Sequence, residues 1–184
     1  MLMGMGVFDL FRRRKTSVPA SAESIDDHFA NHLAELAEKD YLGKAALARA
    51  EARTSKAAGD FNAAWSLYQD VKDLYRKHAM RYGFTAGQTL ALDATLSPLM
   101  ADILRREGKH YDALTHIIYW VAASREPSVS QKKKLVAYFK RCKFPSVELA
   151  EVHAFVESLQ SGVDFVKIRN TVAAWRDRDR PDPT

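Results

Sequence analysis

Cysteine, proline and glycine are scarce in this chain, and each scarcity excludes a class of structure. Cys142 is the only cysteine among 184 residues, which excludes an internal disulfide framework and any zinc or iron–sulfur site held by several cysteines. Residues 20–180 contain three prolines and six glycines, which separate long stretches rich in Ala, Leu, Lys, Arg and Glu. No apolar run approaches the roughly 20 residues that a membrane-spanning helix needs. We therefore expect a cytoplasmic protein made of helices with short connections.

The apolar residues that are present predict an all-α fold of about eight helices. They recur at helical spacing, most clearly as one broad stripe over residues 61–75, whereas no stretch alternates with the period of two that marks strands. Residues 111–124 are apolar on almost every side and should form the most buried helix. Pro98 either kinks a long fourth helix or lies in the first turn of a new one that Ser97 caps.

Charge and breaker residues divide the chain into three predicted parts. Residues 1–22 contain the cluster RRRK followed by a Ser/Ala/Pro linker, and we expect a flexible basic tail instead of a membrane anchor. Residues 23–177 should form a single helical domain, beginning with a cap at Ser24. Residues 178–184 alternate charge with proline and should be disordered.

A strongly basic segment follows the most buried predicted helix. Between residues 128 and 147 the chain has six cations and no acid. These cations are Lys132, Lys133, Lys134, Lys140, Arg141 and Lys143. Because Tyr138 and Phe139 are interleaved with them, binding to RNA or single-stranded DNA is one interpretation. In the other, the aromatic side chains face the core and the cations form a solvated outer surface.

Two segments, each with a glycine between two helices, resemble each other. Gly59 is followed by Phe61 and Ala64, and Gly108 is followed by Ala113, with an aromatic residue displaced by one position at 111. This pattern resembles the tetratricopeptide repeat over residues 43–124, although the two glycines are 49 positions apart where that family has about 34. The resemblance implies antiparallel helical hairpins with a small alanine at each close helix contact.

The resemblance also implies a binding surface. Members of the family bind extended peptides with exposed positions on the first helix of each hairpin, and the matching positions here include four cations. They are Arg49, Arg53, Lys56 and Arg105. A row of cations suits an acidic peptide segment or a C-terminal carboxylate, because guanidinium groups donate bidentate hydrogen bonds to carboxylates. The alternative is that these cations are merely solvated.

Signatures of catalysis and metal binding are missing from the sequence. There is no G-x-S-x-G or Walker A motif, and His28 and His32 lack the glutamate and further ligands of a zinc site. Cys142 stands among cations that would lower an exposed thiol's pKa, but it has no identifiable histidine partner. We therefore expect a non-enzymatic protein with no cofactor and no metal, whose partner is an acidic protein or peptide or, in the alternative, a nucleic acid.

Overall fold

A computed structural model describes residues 25–159 and 162–178, and these ranges contain helices and turns but no strand. The chain divides into two compact units, one ending at Lys39 and one beginning at Asp40. The nine helices of the described ranges are α1 Ile25–Glu38, α2 Tyr41–Ala57, α3 Phe61–Arg81, α4 Ala86–Ala94, α5 Ser97–Arg106, α6 His110–Ala122, α7 Val129–Cys142, α8 Leu149–Ser158 and α9 Phe165–Arg178. The predicted all-α fold is confirmed.

The predicted ends of the domain fall at or beyond the edges of the described ranges. Residues 1–22 and the expected cap at Ser24 lie outside the described residues, as do residues 179–184. Helix α9 continues through Arg178, so the predicted start of the C-terminal tail lies one residue inside this helix. The predicted tails themselves stay predictions.

Helix α1 is the described part of the first unit. Phe29, Leu33 and Leu36 recur at helical spacing along it, and all three side chains are largely exposed. Lys39 pairs with Glu35 one helical turn earlier. The helix that the amphipathic pattern predicts after Ser24 is therefore present over Ile25–Glu38.

Turns at Gly59 and Gly108 shape the centre of the second unit. Both glycines adopt positive φ, +85° and +76°, a backbone conformation that costs other L-residues steric energy. Helix α2 packs on α3 across the first turn, and α5 packs on α6 across the second. Ala64 and Ala113, the small residues that follow the two turns, are completely buried.

The region predicted as a long fourth helix is two helices in the structure. Helix α4 ends at Ala94 and α5 begins at Ser97, with Pro98 in the first turn. The expectation that Ser97 caps the new helix is wrong: Leu96 is the cap residue and makes no side-chain hydrogen bond. Ser97 is instead buried, and its hydroxyl has no hydrogen-bond partner among the described residues.

Two apolar clusters fill the second unit. One lies among α2, α3 and α5, around Tyr68 and Met100, and the other surrounds α6 and includes α7, α8 and α9. Trp65 contacts both clusters. Residues 113–119 of α6 are all buried, which confirms the expectation that this helix is the most buried one. The cluster around α6 includes buried residues of both α5 and α7, the two helices on either side of the site described next.

Candidate functional site

A groove of about 520 Å³ lies between α5 and α7, with the end of α2 at its edge. We call it the cationic groove. Its lining includes five cations from three helices, and these are Lys56, Arg105, Lys133, Lys134 and Arg141. Asp102 is the only acidic residue of the lining, and Pro98, Leu99, Ala137 and Tyr138 supply its uncharged surface. The groove therefore has a clear excess of positive charge.

Asp102 is bound by cations from two helices. Its carboxylate accepts hydrogen bonds from Lys56 Nζ at 3.1 Å and Arg105 Nη2 at 2.6 Å, and Arg106 Nε lies 3.4 Å away. Burial by itself raises the pKa of Asp102, but the hydrogen bonds from Arg105 and Lys56 outweigh burial, so the pKa lies below its ordinary value. Asp102 is thus charged at neutral pH and ties α2 to α5.

We call the α7 side of the groove, with Lys133, Lys134 and Arg141, the α7 wall, and two of its three cations contact aromatic rings. The Lys134 ammonium lies 5.6 Å from the ring centre of Trp120, and the Arg141 guanidinium lies 5.5 Å from that of Tyr138. Such contacts position a cation without neutralising its charge. Lys133, on the same wall, makes no ion pair within the described ranges. The α7 wall consequently presents positive charge that the Asp102 carboxylate does not neutralise.

Arg49 and Arg53 lie around Tyr68, outside the groove lining. Burial raises the pKa of Tyr68, and the charges of Arg49 and Arg53 oppose that rise. The Tyr68 hydroxyl and Arg49 Nε are both buried and have no hydrogen-bond partner among the described residues. Arg49 is partly buried and Arg53 is exposed, and neither lines the groove that Lys56 borders.

Half of the residues in each of the two site predictions line the groove. From the predicted peptide-binding set it brings Lys56 and Arg105 into the cationic groove, and from the predicted nucleic-acid-binding set it brings Lys133, Lys134 and Arg141. The predicted residues that do not line the groove are Arg49, Arg53, Lys132, Lys140 and Lys143. The aromatic residues of the basic helix face inward: Tyr138 is buried and Phe139 packs against the core. They are not arranged as a free surface for stacking bases.

Asp102 is the residue that sequence reasoning missed. It occupies one of the positions that the repeat resemblance marks, and the sequence places Arg105 three residues after it and Arg106 four residues after it. Those spacings on a helix predict local ion pairs. The contact with Lys56, which comes from another helix 46 positions earlier, has no local signature in the sequence.

The other candidate centres of the sequence do not form reactive sites in the described structure. Cys142 is buried, and burial raises the pKa of its thiol to about 12, so the neighbouring cations do not activate it. No group of three or more His, Cys, Asp or Glu side chains within the described ranges could hold a metal ion. Among the described helices, none is sufficiently long and apolar to cross a bilayer.

Comparison with known proteins adds no relative. No protein-family profile, curated protein or solved structure matches this chain. The tetratricopeptide resemblance therefore stays a prediction, and the geometry and charge of the cationic groove are the basis for assigning a function.

Proposed function

We propose that this protein is a non-enzymatic interaction module that binds an acidic segment of another protein in the cationic groove. The observation that carries the proposal is the convergence of five cations from α2, α5 and α7 on one groove with a single carboxylate. Converging charges of one sign attract and orient an oppositely charged partner. The buried thiol and the cytoplasmic location expected from the sequence agree with an adaptor that works in a reducing compartment.

The uncharged part of the lining supports a peptide over a small ion. Pro98, Leu99 and Ala137 lie among the cations, so a chain lying in the groove buries apolar surface while its acidic side chains meet the α7 wall. The resemblance of the Gly59 and Gly108 segments to tetratricopeptide repeats in the sequence supports the same proposal. A terminal carboxylate is a second suitable acid, because the Arg141 guanidinium lines the groove and has no carboxylate partner among the described residues.

A matched pair of triple variants tests this proposal. One variant carries Lys133→Gln, Lys134→Gln and Arg141→Gln, all in the groove, and the control carries Lys132→Gln, Lys140→Gln and Lys143→Gln, which are exposed positions outside it. The two variants lose the same charge from the same segment. Binding of a fluorescein-labelled, end-blocked peptide of alternating glutamate and glycine is measured by fluorescence anisotropy.

The two variants should differ in their affinity for the acidic peptide. The groove variant should lose about 10- to 100-fold in affinity, since three charge contacts of up to about 1 kcal/mol each disappear, whereas the control should stay close to the original protein. Equal losses in both variants would show diffuse attraction and contradict a groove site. Tighter binding to a single-stranded oligonucleotide, weakened mainly by the control variant, would instead favour the nucleic-acid alternative.

A further inference from the structure

The cations of the cationic groove fall into two groups with different surroundings. Lys56 and Arg105 share the carboxylate of Asp102. Lys56 Nζ lies 3.1 Å from one carboxylate oxygen, and Arg105 Nη2 and Nε lie 2.6 Å and 3.2 Å from the other. The side chains of Lys56 and Arg105 are only 17% and 33% exposed. The cations of the α7 wall, in contrast, have no carboxylate partner among the described residues.

The arrangement of Lys56 and Arg105 depends on the carboxylate between them. Their charged groups lie on the two oxygens of one side chain, and like charges held this close repel each other. A largely buried ammonium group without a partner also loses the hydration that it has in water. Both side chains are long and have many rotamers, so without Asp102 they would turn towards solvent.

The contacts with Asp102 leave both cations with N–H groups for a ligand. An ammonium group has three N–H donors and a guanidinium group has five. Lys56 uses one of them for Asp102, and Arg105 uses one from Nε and one from Nη2. Arg106 Nε lies 3.4 Å from the same carboxylate. Three cations therefore surround one acid, and this part of the groove stays positively charged.

Resting on the proposed function, we infer that Asp102 is a positioning residue that strengthens the binding of an acidic peptide, although its own charge is negative. It holds Lys56 and Arg105 in one arrangement before the peptide arrives. A peptide that meets ordered side chains does not have to order them itself, and it binds more tightly for that reason. The negative charge of Asp102 has little effect on the peptide because the surrounding cations outnumber it.

Asp102→Asn tests the inference, because loss of positioning and loss of charge predict opposite results. The amide has the shape of the carboxylate, but it keeps one acceptor oxygen and presents an NH2 donor in place of the other. It therefore cannot accept hydrogen bonds from both cations, and it makes the groove more positive. Charge alone predicts tighter binding of the labelled, end-blocked peptide of alternating glutamate and glycine, whereas loss of positioning predicts weaker binding.

We expect Asp102→Asn to weaken binding of this peptide about 3- to 10-fold, measured by fluorescence anisotropy on the full chain. The same substitution should cause no further loss in a protein that already carries Lys56→Gln and Arg105→Gln. Equal losses in both backgrounds would show that Asp102 acts through the overall structure, and would overturn the inference. Circular dichroism gives the folded fraction to which each affinity is referred.

Glu107→Gln is the matched control for the loss of one negative charge. Glu107 is an exposed acid at the end of α5, it pairs with Lys109 at 3.2 Å, and it lies outside the groove lining. Its substitution should change the affinity by no more than about twofold. A loss as large as that of Asp102→Asn would contradict a specific role for Asp102.

A measurement on the original protein does not depend on how well Asp102→Asn folds. The Arg105 Nε–H group should be rigid before any peptide is added, with an NMR order parameter above about 0.6. Its signal is assigned by its absence in Arg105→Lys. Arg169 is exposed on α9 and serves as the mobile reference. An Arg105 signal as mobile as that of Arg169 would overturn the inference.

The failure of the inference can be distinguished from the failure of the proposed function. If Asp102→Asn binds the peptide more tightly and the groove variant, which lacks the three cations of the α7 wall, binds it weakly, the positioning role is wrong and the proposed function stands. If the groove variant binds the peptide like the original protein, the proposed function fails together with the inference.

Discussion

Lys143 adopts a backbone conformation that is normally reserved for glycine. It follows the last residue of α7 with φ 51° and ψ 43°, in the left-handed region. A left-handed residue ends many helices, but this conformation costs a residue with a Cβ atom about 1–2 kcal/mol. Its charge contributes nothing to the lining of the cationic groove. The residue is therefore a place where stability can be gained without affecting the proposed site.

We expect Lys143→Gly to raise the free energy of unfolding by about 0.5–1 kcal/mol, because relief of the left-handed strain exceeds the entropy that glycine adds to the unfolded chain. Urea denaturation followed by circular dichroism measures the change. Lys143→Ala removes the same charge and keeps the strain, so it should show no gain. Equal stabilisation by both substitutions would assign the effect to the charge.

The buried hydroxyl of Ser97 allows a second test with a single substitution. Its buried hydroxyl lacks a hydrogen-bond partner among the described residues, and a buried polar group without a partner costs about 1–3 kcal/mol. We expect Ser97→Ala to raise the free energy of unfolding by about 1 kcal/mol. The matched control is Ser128→Ala, since Ser128 accepts a hydrogen bond from Gln131 N at the start of α7, and it should lose about 1 kcal/mol. A loss in Ser97→Ala of similar size would contradict the assignment.

Among the helices, α8 and α9 are joined by one carboxylate. Glu151 accepts a hydrogen bond from Trp175 Nε1 at 2.7 Å and forms an ion pair with Arg178 Nη2 at 3.0 Å. Trp175 is buried, whereas Arg178 is partly exposed. The hydrogen bond that the indole donates therefore contributes more to holding α9 on α8 than the ion pair does. Surface ion pairs stabilise little, whereas a buried indole N–H without an acceptor is costly.

We expect Glu151→Ala to lower the free energy of unfolding by about 1–2 kcal/mol, chiefly by leaving the indole N–H of Trp175 without its acceptor. Hydrogen exchange of the α9 amides should accelerate in the same variant. Glu157→Ala is the control, because Glu157 is an exposed acid on the same helix, and its substitution should change stability by no more than about 0.5 kcal/mol. Unchanged exchange in α9 with Glu151→Ala would show that another contact holds this helix.

The helices were largely predictable from local patterns, whereas the site was not. Helical spacing over residues 61–75 and the apolar sequence of α6 are local signals, and both helices form as predicted. A break before Pro98 is one of the two alternatives that the sequence predicts, but serine is common at helix N-caps, so the sequence places the cap at Ser97 and not at Leu96. The cationic groove depends on α2 packing on α3, on α5 packing on α3 and α6, and on α7 packing on α6, and no local pattern places Lys56 against Asp102.

In the folded molecule, parts of the two rival site predictions meet on one surface. The sequence separated a peptide-binding row on α2 and α5 from a nucleic-acid-binding helix at residues 130–143, because these segments are distant along the chain. The packing of α2 on α3 and of α5 and α7 on α6 brings Lys56, Arg105 and Arg141 to the same groove. Charge that is spread over the sequence becomes concentrated on one surface, and the functional proposal depends on that concentration.

A partly buried polar cluster lies beside His116, the residue that makes the stability of the fold depend on pH. Asp93 on α4 accepts a hydrogen bond from the Tyr119 hydroxyl at 2.9 Å and an ion pair from Lys72 at 3.0 Å. These contacts join α3, α4 and α6. His116, one turn before Tyr119, packs its ring against Trp65 and Phe165. Burial and the nearby Lys72 charge lower the pKa of His116 to about 3, and its Nδ1 has no partner among the described residues.

Acidification should therefore destabilise the protein through His116. Above pH 6.5 the His116 ring is neutral in both the folded and the unfolded state. Below pH 6.5 the unfolded state binds a proton, whereas the folded state stays neutral down to about pH 3. The free energy of unfolding therefore falls by about 2 kcal/mol between pH 7.5 and pH 5. We expect His116→Leu to remove most of this loss in urea denaturation at the two pH values, because leucine has no proton to gain. His153→Leu, which removes a half-buried histidine on α8, should keep the loss that His116 causes. If His116→Leu loses as much stability as the original protein between pH 7.5 and pH 5, the pH dependence arises elsewhere in the molecule.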